Sequence, residues 1–399
     1  MAVSDADGPL SHAVGAQADA DVIVIGAGPT GAACAFHLAY RGRRVLLLER
    51  QALGRGKPCG GGMAASVQRW FPFDLRPAVD QVIRRVRFTW CLEDPVTAEL
   101  PGDAPFWIVR RSVLDAFLAD QAVAAGAEVR HGWQVESLER RDGLWWVGAR
   151  EGDVDRQLKA NAVLIADGSS SSLATAQGLG PGRPRYAATV SVEVEAALTD
   201  PGTARFEFGL VHHGFCWAFP RRGGWSIGVG TFIGQQEADS DAVLASLLPT
   251  LGLPPDAGQR QHGRLRIWDG HHPLHGRGPQ HEGVLVAGDA ASLCDPFLAE
   301  GLRPALMSGC HAAEALDRWL GGEAGALEGY TRRMRAEWGE SMAWGKRIAQ
   351  VFYRLPKVGY QLGIKRPTAP KRIAQILSGE MGYGDIAQRV IRRLMFQRG

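Results

Sequence analysis

The sequence lacks the marks of a membrane-spanning, secreted or metal-binding protein. No stretch approaches the roughly eighteen consecutive apolar residues that a membrane-crossing helix needs. The first twenty residues, rich in Ala, Asp and Gly, lack the basic start and apolar centre of a secretion signal and are expected to form a mobile tail. The six cysteines (Cys34, Cys59, Cys91, Cys216, Cys294, Cys310) form no CxxC pair. That argues against a disulfide framework and fits a reducing cytosol. His271, His272 and His275 stand in a Gly/Pro-rich segment without a suitably spaced fourth ligand, so no metal is expected. Acidic residues almost vanish towards the end. From Ser341 to Gly399 there are 12 Lys or Arg against Glu380 and Asp385 alone, leaving 33 basic and 40 acidic residues elsewhere. This asymmetry fits an anionic membrane surface or a phosphate-bearing substrate, and equally a solvated helical face. No nucleic-acid motif accompanies it, so nucleic acid is not an expected partner.

What is present is concentrated in residues 21–50. The apolar run Val22-Ile-Val-Ile25 leads into Gly26-Ala-Gly28-Pro29-Thr-Gly31, followed by small and apolar residues at helical spacing to Tyr40. A second apolar run, Val45 to Leu48, ends in Glu49-Arg50, with the carboxylate 23 residues after Gly26. Strand, tight turn, helix and a second strand ending in an acid make up the dinucleotide-binding signature. Gly26 permits the turn, Gly28 lets backbone approach a pyrophosphate, and Gly31 lets helix pack on strand. The helix N-terminus offers free N–H groups to phosphate, and Glu49 a carboxylate to a ribose hydroxyl.

Further along, Lys57-Pro58-Cys59-Gly60-Gly61-Gly62 is too glycine-rich for an ordinary helix or strand and suits a place where something flat lies against bare backbone. Residues 84–100 alternate as sheet, and Ser112 to Ala125 reads as an amphipathic helix. At its start Arg111 either reaches a pyrophosphate or ribose or is simply an exposed helix-start arginine. Residues 134–161 read as a hairpin or meander, running into a buried strand, Ala162 to Ala166, and the turn Asp167-Gly168. From Tyr186 to Phe232 alternating strands carry Phe206, Phe208, Phe215, Trp217, Phe219 and Trp225, which suit either a greasy cavity or plain sheet packing. A last buried strand ends at Gly288-Asp289, placing a carboxylate beside a polyol chain or forming an ordinary capped turn. Asp295-Pro296 and Glu300-Gly301 follow, then a helix from about Arg303 to Leu320; the remainder is helical in pattern.

These motifs resemble the FAD-dependent oxidoreductases of the aromatic-hydroxylase superfamily and, within it, the geranylgeranyl reductase family. The superfamily likeness rests on the glycine turn with Glu49, on Asp167-Gly168 and on Gly288-Asp289. The family likeness rests on Lys57 to Gly62, on Phe215-Cys-Trp217-Ala-Phe219-Pro220 and on Gly379-Glu-Met-Gly-Tyr383. Two departures stand out: Phe215 replaces a tyrosine, and Phe297-Leu-Ala-Glu300-Gly301 replaces a more glycine-rich stretch. The WxWxIP segment of flavin-dependent halogenases is missing.

The resemblance implies an α/β (mixed α+β) fold with a Rossmann-like FAD domain (21–65, 105–180, 278–318). It also implies an inserted antiparallel-sheet substrate domain (66–104, 181–277) and a C-terminal helical region (319–399). It implies FAD held by Gly26, Gly28, Pro29, Gly31, Glu49, Arg50, Lys57, Gly60, Arg111, Asp167, Gly168, Gly288, Asp289, Glu300 and Gly301. Cys59, Gly61 and Trp217 would stand at the reacting centre. The implied activity is hydride transfer from reduced FAD, replenished by NAD(P)H or ferredoxin, to a carbon–carbon double bond of an isoprenoid or other long apolar substrate. An FAD monooxygenase and a non-catalytic electron-carrying or lipid-binding flavoprotein are the alternatives. The expected location is the cytoplasm, with peripheral membrane contact.

Overall fold

The computed structural model describes residues 17–102, 105–232, 239–366 and 368–396. The expected mobile tail therefore falls outside the described residues up to position 16. Its last residue, Ala20, is already the start of a strand, tied in where the Asp19 N–H donates to the Lys159 carbonyl.

The first strand, Ala20–Ile25, lies between Val45–Glu49 and the far half of the long strand Val154–Ile165, parallel to both. Glu128–His131 extends one side of this sheet and Val284–Val286 pairs with the other, again in parallel. The near half of Val154–Ile165 turns back through Leu144–Glu151 to Trp133–Arg141, which gives the expected meander. Strands buried on both faces read as unbroken apolar runs, which is why Val22 to Ile25 and Val45 to Leu48 were legible without alternation. The helix Pro29–Tyr40 packs against Leu302–Leu320 so closely that a Cβ on Gly309 would lie 2.3 Å from the Thr30 carbonyl oxygen.

A second seven-stranded sheet is almost wholly antiparallel. Its order is Gln261–Ile267, Arg185–Glu195, Gly224–Thr231, Gly214–Arg221, Thr203–Phe208, Arg85–Trp90, Glu93–Glu99. The Thr203–Phe208 and Arg85–Trp90 pair is parallel, which joins two segments distant in sequence. A small third sheet, Gly62–Ala64, Phe106–Val109 and Val79–Ile83, bridges the two large ones. Gly62 and Met63 thus belong to a strand, contrary to the expectation that the glycine stretch would be irregular throughout. Backbone pairing with Phe106–Val109 supplies the order that the side chains do not.

Five α-helices follow residue 320, from Ala326–Met334 to Tyr383–Phe396. They are tied to the rest by buried tyrosines. Tyr353 donates to the Phe297 carbonyl, Tyr360 to the carbonyls of Phe88 and Asp94, and Tyr383 to the Asp295 carboxylate at 2.6 Å. No described helix is long and apolar enough to cross a membrane.

Candidate active site

The carboxyl ends of Ala20–Ile25, Val45–Glu49, Val154–Ile165 and Val284–Val286 open on one side of the parallel sheet, where open α/β sheets bind their ligands. A cleft of about 1140 Å³ begins there and runs to the antiparallel sheet.

At its first end the three glycines of the turn prove to differ. A Cβ on Gly26 would stand 2.5 Å from the Ala166 carbonyl oxygen, and one on Gly31 would stand 1.8 Å from the Gly26 carbonyl oxygen. Protein neighbours demand both. A Cβ on Gly28 would meet nothing within 4 Å, because Gly28, Pro29 and Thr30 face the cleft. Gly28 caps the helix without a side-chain hydrogen bond, so the first backbone N–H groups point into that space. Glu49 is buried; its Oε2 accepts from Ala27 N–H at 2.9 Å and its Oε1 from Gln51 N–H at 3.0 Å, with Arg55 3.7 Å away. Each carboxylate oxygen retains a second lone pair. Arg50 is exposed beyond the strand end and does not line the cleft.

Cationic groups gather in the middle. Arg111 lines the cleft but is not the exposed helix-start arginine of the simpler sequence reading. It is buried and makes a two-pronged ion pair with Asp115 at 2.7 and 2.8 Å. Burial works against its charge, but Asp115 outweighs burial and holds the guanidinium protonated. Lys57 has no hydrogen bond or ion pair to a described residue. Burial and the neighbouring Arg111 push its pKa down, while Asp289 and Asp115 oppose the shift. Asp289 lines the cleft, in a single turn of 3-10 helix, Gly288–Ala291, that has no side-chain cap. The helix expected from about Arg303 to Leu320 runs from Leu302 to Leu320. Gly168 faces the cleft, and the Asp167 Oδ1 is buried without a partner, with burial raising that carboxyl's pKa.

The far end is apolar. Phe106, Phe206, Phe215, Trp217, Phe219, Phe232, Leu298 and Leu377 enclose it. Strand register separates the aromatic residues noted in the sequence. Phe206, Phe215, Trp217 and Phe219 face the cleft, whereas Trp225 lies on the opposite sheet face beneath Arg205, and Phe208 packs on Phe352 and Tyr360. Phe106, Phe232, Leu298 and Leu377 were not singled out in the sequence. They come from four separate segments, and no local pattern marks them as neighbours.

The glycine stretch Gly60–Gly62 sits between the two ends, and its glycines answer to the protein itself. A Cβ on Gly61 (φ +76°) would lie 2.1 Å from the Val109 carbonyl oxygen, and one on Gly62 would lie 2.6 Å from the Phe106 ring. A Cβ on Gly60 would lie 3.0 Å from the Trp217 Nε1, a buried N–H with no partner among the described residues. The expectation that bare backbone here serves only a flat ligand is therefore corrected: at Gly61 the Phe106–Val109 strand occupies the space. The half-buried Cys59 Sγ accepts from Gly61 N–H at 3.3 Å, so the thiol's own proton is free to point elsewhere. The three histidines do not form a ligand set. His272 pairs with Asp269, His275 with Thr331, and His271 packs edge-on to Trp268.

Glu300 and Gly301 complete the wall. Glu300 Oε2 accepts from Arg303 Nη2 at 2.7 Å, while Oε1 is buried without a partner. Burial, reinforced by Asp295, raises this carboxyl to about 7 despite Arg303. An acid whose folded pKa lies above its unfolded value, about 4.5, stabilises fully below the lower value and loses that contribution as pH rises through the higher one. Glu300→Gln should therefore flatten a decline in unfolding free energy of about 2–3 kcal/mol between pH 5 and pH 8. Denaturant titrations of both proteins across that range check this; parallel pH curves would place the decline elsewhere.

The glycine turn with no protein atom within 4 Å of a Cβ on Gly28, the buried Glu49 carboxylate, and the cleft cations Lys57 and Arg111 together fit a dinucleotide with a pyrophosphate, and FAD meets that description. Known proteins agree. The FAD dependent oxidoreductase family pattern matches residues 21–80 and 105–315. The chain is 30% identical over 345 residues to digeranylgeranylglycerophospholipid reductase 2 of Methanothermobacter thermautotrophicus, covering 83% of this chain and 84% of that one. It is 29% identical over 322 residues to the chloroplastic geranylgeranyl diphosphate reductase of Oryza sativa subsp. japonica, covering 74% of this chain and 66% of that one. In fold it is similar to a geranylgeranyl bacteriochlorophyll reductase-like protein from Thermoplasma acidophilum, with a TM-score of 0.77 at 20% identity over 90% of this chain and 91% of that one. The chain belongs to the FAD-dependent oxidoreductase family, on its geranylgeranyl reductase branch.

Proposed function

We propose that this protein reduces carbon–carbon double bonds in an isoprenoid lipid chain. The observation that carries the reading is the continuity of the cleft, in which the glycine turn and an aromatic chamber meet at Gly60–Gly62. A chamber walled by Phe206, Phe215, Phe219, Phe232 and Leu298 suits a greasy chain better than a polar one. The relatives named for geranylgeranyl and digeranylgeranyl substrates support the same substrate class.

In this reading Gly28 and the Pro29 helix end receive the pyrophosphate, and Glu49 takes an adenosine ribose hydroxyl. Lys57 and Arg111 offset phosphate charge, and Asp289 meets the ribityl chain. Reduced FAD, when bound, supplies hydride to an alkene carbon. The chain's own work is to hold the alkene at fixed distance in a dry site and to deliver the accompanying proton. Several proton-bearing groups line the cleft, among them Lys57, Cys59, Asp289 and Glu300. We assign the proton to Glu300, because the residue lines the cleft, its Oε1 has no partner among the described residues, and its pKa of about 7 keeps a large fraction protonated at neutrality. Arg303 then holds the carboxylate left behind. Trp217, whose Nε1 would lie 3.0 Å from a Cβ on Gly60, forms part of the chamber wall next to the glycine stretch.

The external reductant, NAD(P)H or ferredoxin, is part of the proposal, as is a cytoplasmic protein working at a membrane surface. The test is anaerobic incubation of the dithionite-reduced enzyme with a geranylgeranyl lipid, followed by mass spectrometry. A gain of two mass units per reduced bond is expected. A gain of sixteen under air would make it a hydroxylase, and an unchanged lipid a flavoprotein of another role. Glu300→Gln should slow product formation by about a hundredfold or more while leaving flavin content unchanged.

A further inference from the structure

Residues 341–379 contain eight Lys or Arg and no Asp or Glu. The helix Glu340–Arg354, whose first residue precedes this segment, and the helix Pro356–Gly363 inside it have one face buried and one in solvent. The inner face is aromatic. Phe352 packs on Phe208 and Phe297, and Tyr353 packs on Phe232, a residue of the apolar chamber. The outer side carries an apolar stripe among polar residues, across the two helices and the Leu355 that joins them. Val351, Leu355, Val358 and Leu362, spaced four, three and four residues apart, are 71, 60, 49 and 55% exposed. Only nine large hydrophobic side chains stand this far out among the described residues, and four of them fall within these twelve positions. Singly exposed hydrophobic residues are ordinary, but a stripe of them marks a surface that meets something.

The charges beside the stripe say what that is. Arg354, Lys357 and Arg366 are exposed and make no ion pair with a described residue, and Lys365 is held by Asp94 next to the same helix. An adjoining groove of about 950 Å³ carries Lys365, Arg366 and Lys371 on one wall. An apolar ridge bordered by unpaired cations is complementary to a bilayer whose acyl boundary lies under anionic headgroups.

We propose that the outer face of Glu340–Gly363 is the surface on which the protein seats on an anionic lipid bilayer. The proposal gives the membrane association of the proposed function its location and rests on that reading for its purpose, while its geometry stands independently. Seated this way, the protein places the bilayer one aromatic layer, Phe352 and Tyr353, from the chamber that receives the lipid chain.

The experiment is co-sedimentation of the purified holoenzyme with two kinds of vesicle: phosphatidylcholine alone, and phosphatidylcholine with about one third phosphatidylglycerol. The wild-type protein should bind the anionic vesicles, and added salt should weaken binding. Leu355→Glu with Leu362→Glu should lower the bound fraction by about tenfold, and Arg354→Glu with Lys357→Glu should do the same at low salt. Both double variants should turn over a detergent-dispersed short prenyl substrate at the wild-type rate. No binding to anionic vesicles at low salt overturns the proposal, and so does equal binding by wild type and both variants. A self-association that the leucine variant abolishes, without vesicle binding, also overturns it and makes the stripe a contact between two copies. If neither wild type nor variant reduces the prenyl substrate while vesicle binding follows the expected pattern, the substrate reading fails and the docking surface stands.

Discussion

Gly28→Val should cost the protein its flavin while leaving its fold intact. The backbone at Gly28 is extended (φ −72°), so a β-branched residue is not strained there, and a Cβ would touch no protein atom within 4 Å. The valine methyl groups would instead fill the space in front of the free N–H groups of the Pro29–Tyr40 helix, where a pyrophosphate must sit to use them. The affinity for FAD should fall on the order of a thousandfold, about 4 kcal/mol. The apo-protein should lose no more than about 1 kcal/mol, the difference between a glycine and a valine at a helix N-cap. Flavin fluorescence titration and denaturant unfolding of the apo-protein measure the two quantities separately. Retained flavin would move the phosphate site away from the glycine turn. The contrast is Gly31→Val, whose Cβ would lie 1.8 Å from the Gly26 carbonyl oxygen; there the fold itself should fail.

Gly61→Val should unfold, or nearly unfold, the region that joins the two large sheets. Two effects act together. At φ +76° an L residue with a branched side chain is strained by roughly 1–3 kcal/mol. Its Cβ would also lie 2.1 Å from the Val109 carbonyl oxygen, in the strand Phe106–Val109 whose Val109 N–H donates to the Gly61 carbonyl. Backbone cannot move aside as a flexible side chain would, so the strand pairing must open. Loss of unfolding free energy of about 4 kcal/mol or more is expected. A variant of unchanged stability and no activity would instead mean that the ligand, not Val109, is what the missing side chain makes room for. The comparison with Gly60 is instructive. There the nearest atoms, at 3.0 to 3.2 Å, belong to the side chains of Trp217 and Phe219, so the obstruction would reshape the chamber wall and not the sheet.

The glycine turn with Glu49, the buried parallel strands and the meander around Trp145 were all legible in the residues themselves. Their signals are local, since apolar runs, turn glycines and the spacing to Glu49 all lie within about thirty consecutive positions. The helical character after residue 320 was legible for the same reason, through its 3.6-residue periodicity. Arg111 shows where this legibility stops. Its place at a helix start, four residues before Asp115, is a sequence fact, but its burial and its position on the cleft wall come from the folded chain, in which its helix packs on Pro29–Tyr40.

The sequence by itself determined that a strand, a glycine-capped helix start and a second strand ending in Glu49 would occur in register, because backbone preference and hydrophobic pattern act over short distances. Only the tertiary structure decided which glycines are closed in by protein and which face open space, because Val109, Ala166 and Trp217 approach them from far along the chain. It alone decided which aromatic residues face the cleft. That depends on the register of strands whose partners, such as Arg85–Trp90 and Thr203–Phe208, lie more than a hundred residues apart. Glu300 belongs to this second class most fully. Burial by the folded chain is the main cause of its raised pKa, with Asp295 adding to it, and a carboxyl that can hold a proton at neutral pH exists only once that burial is complete.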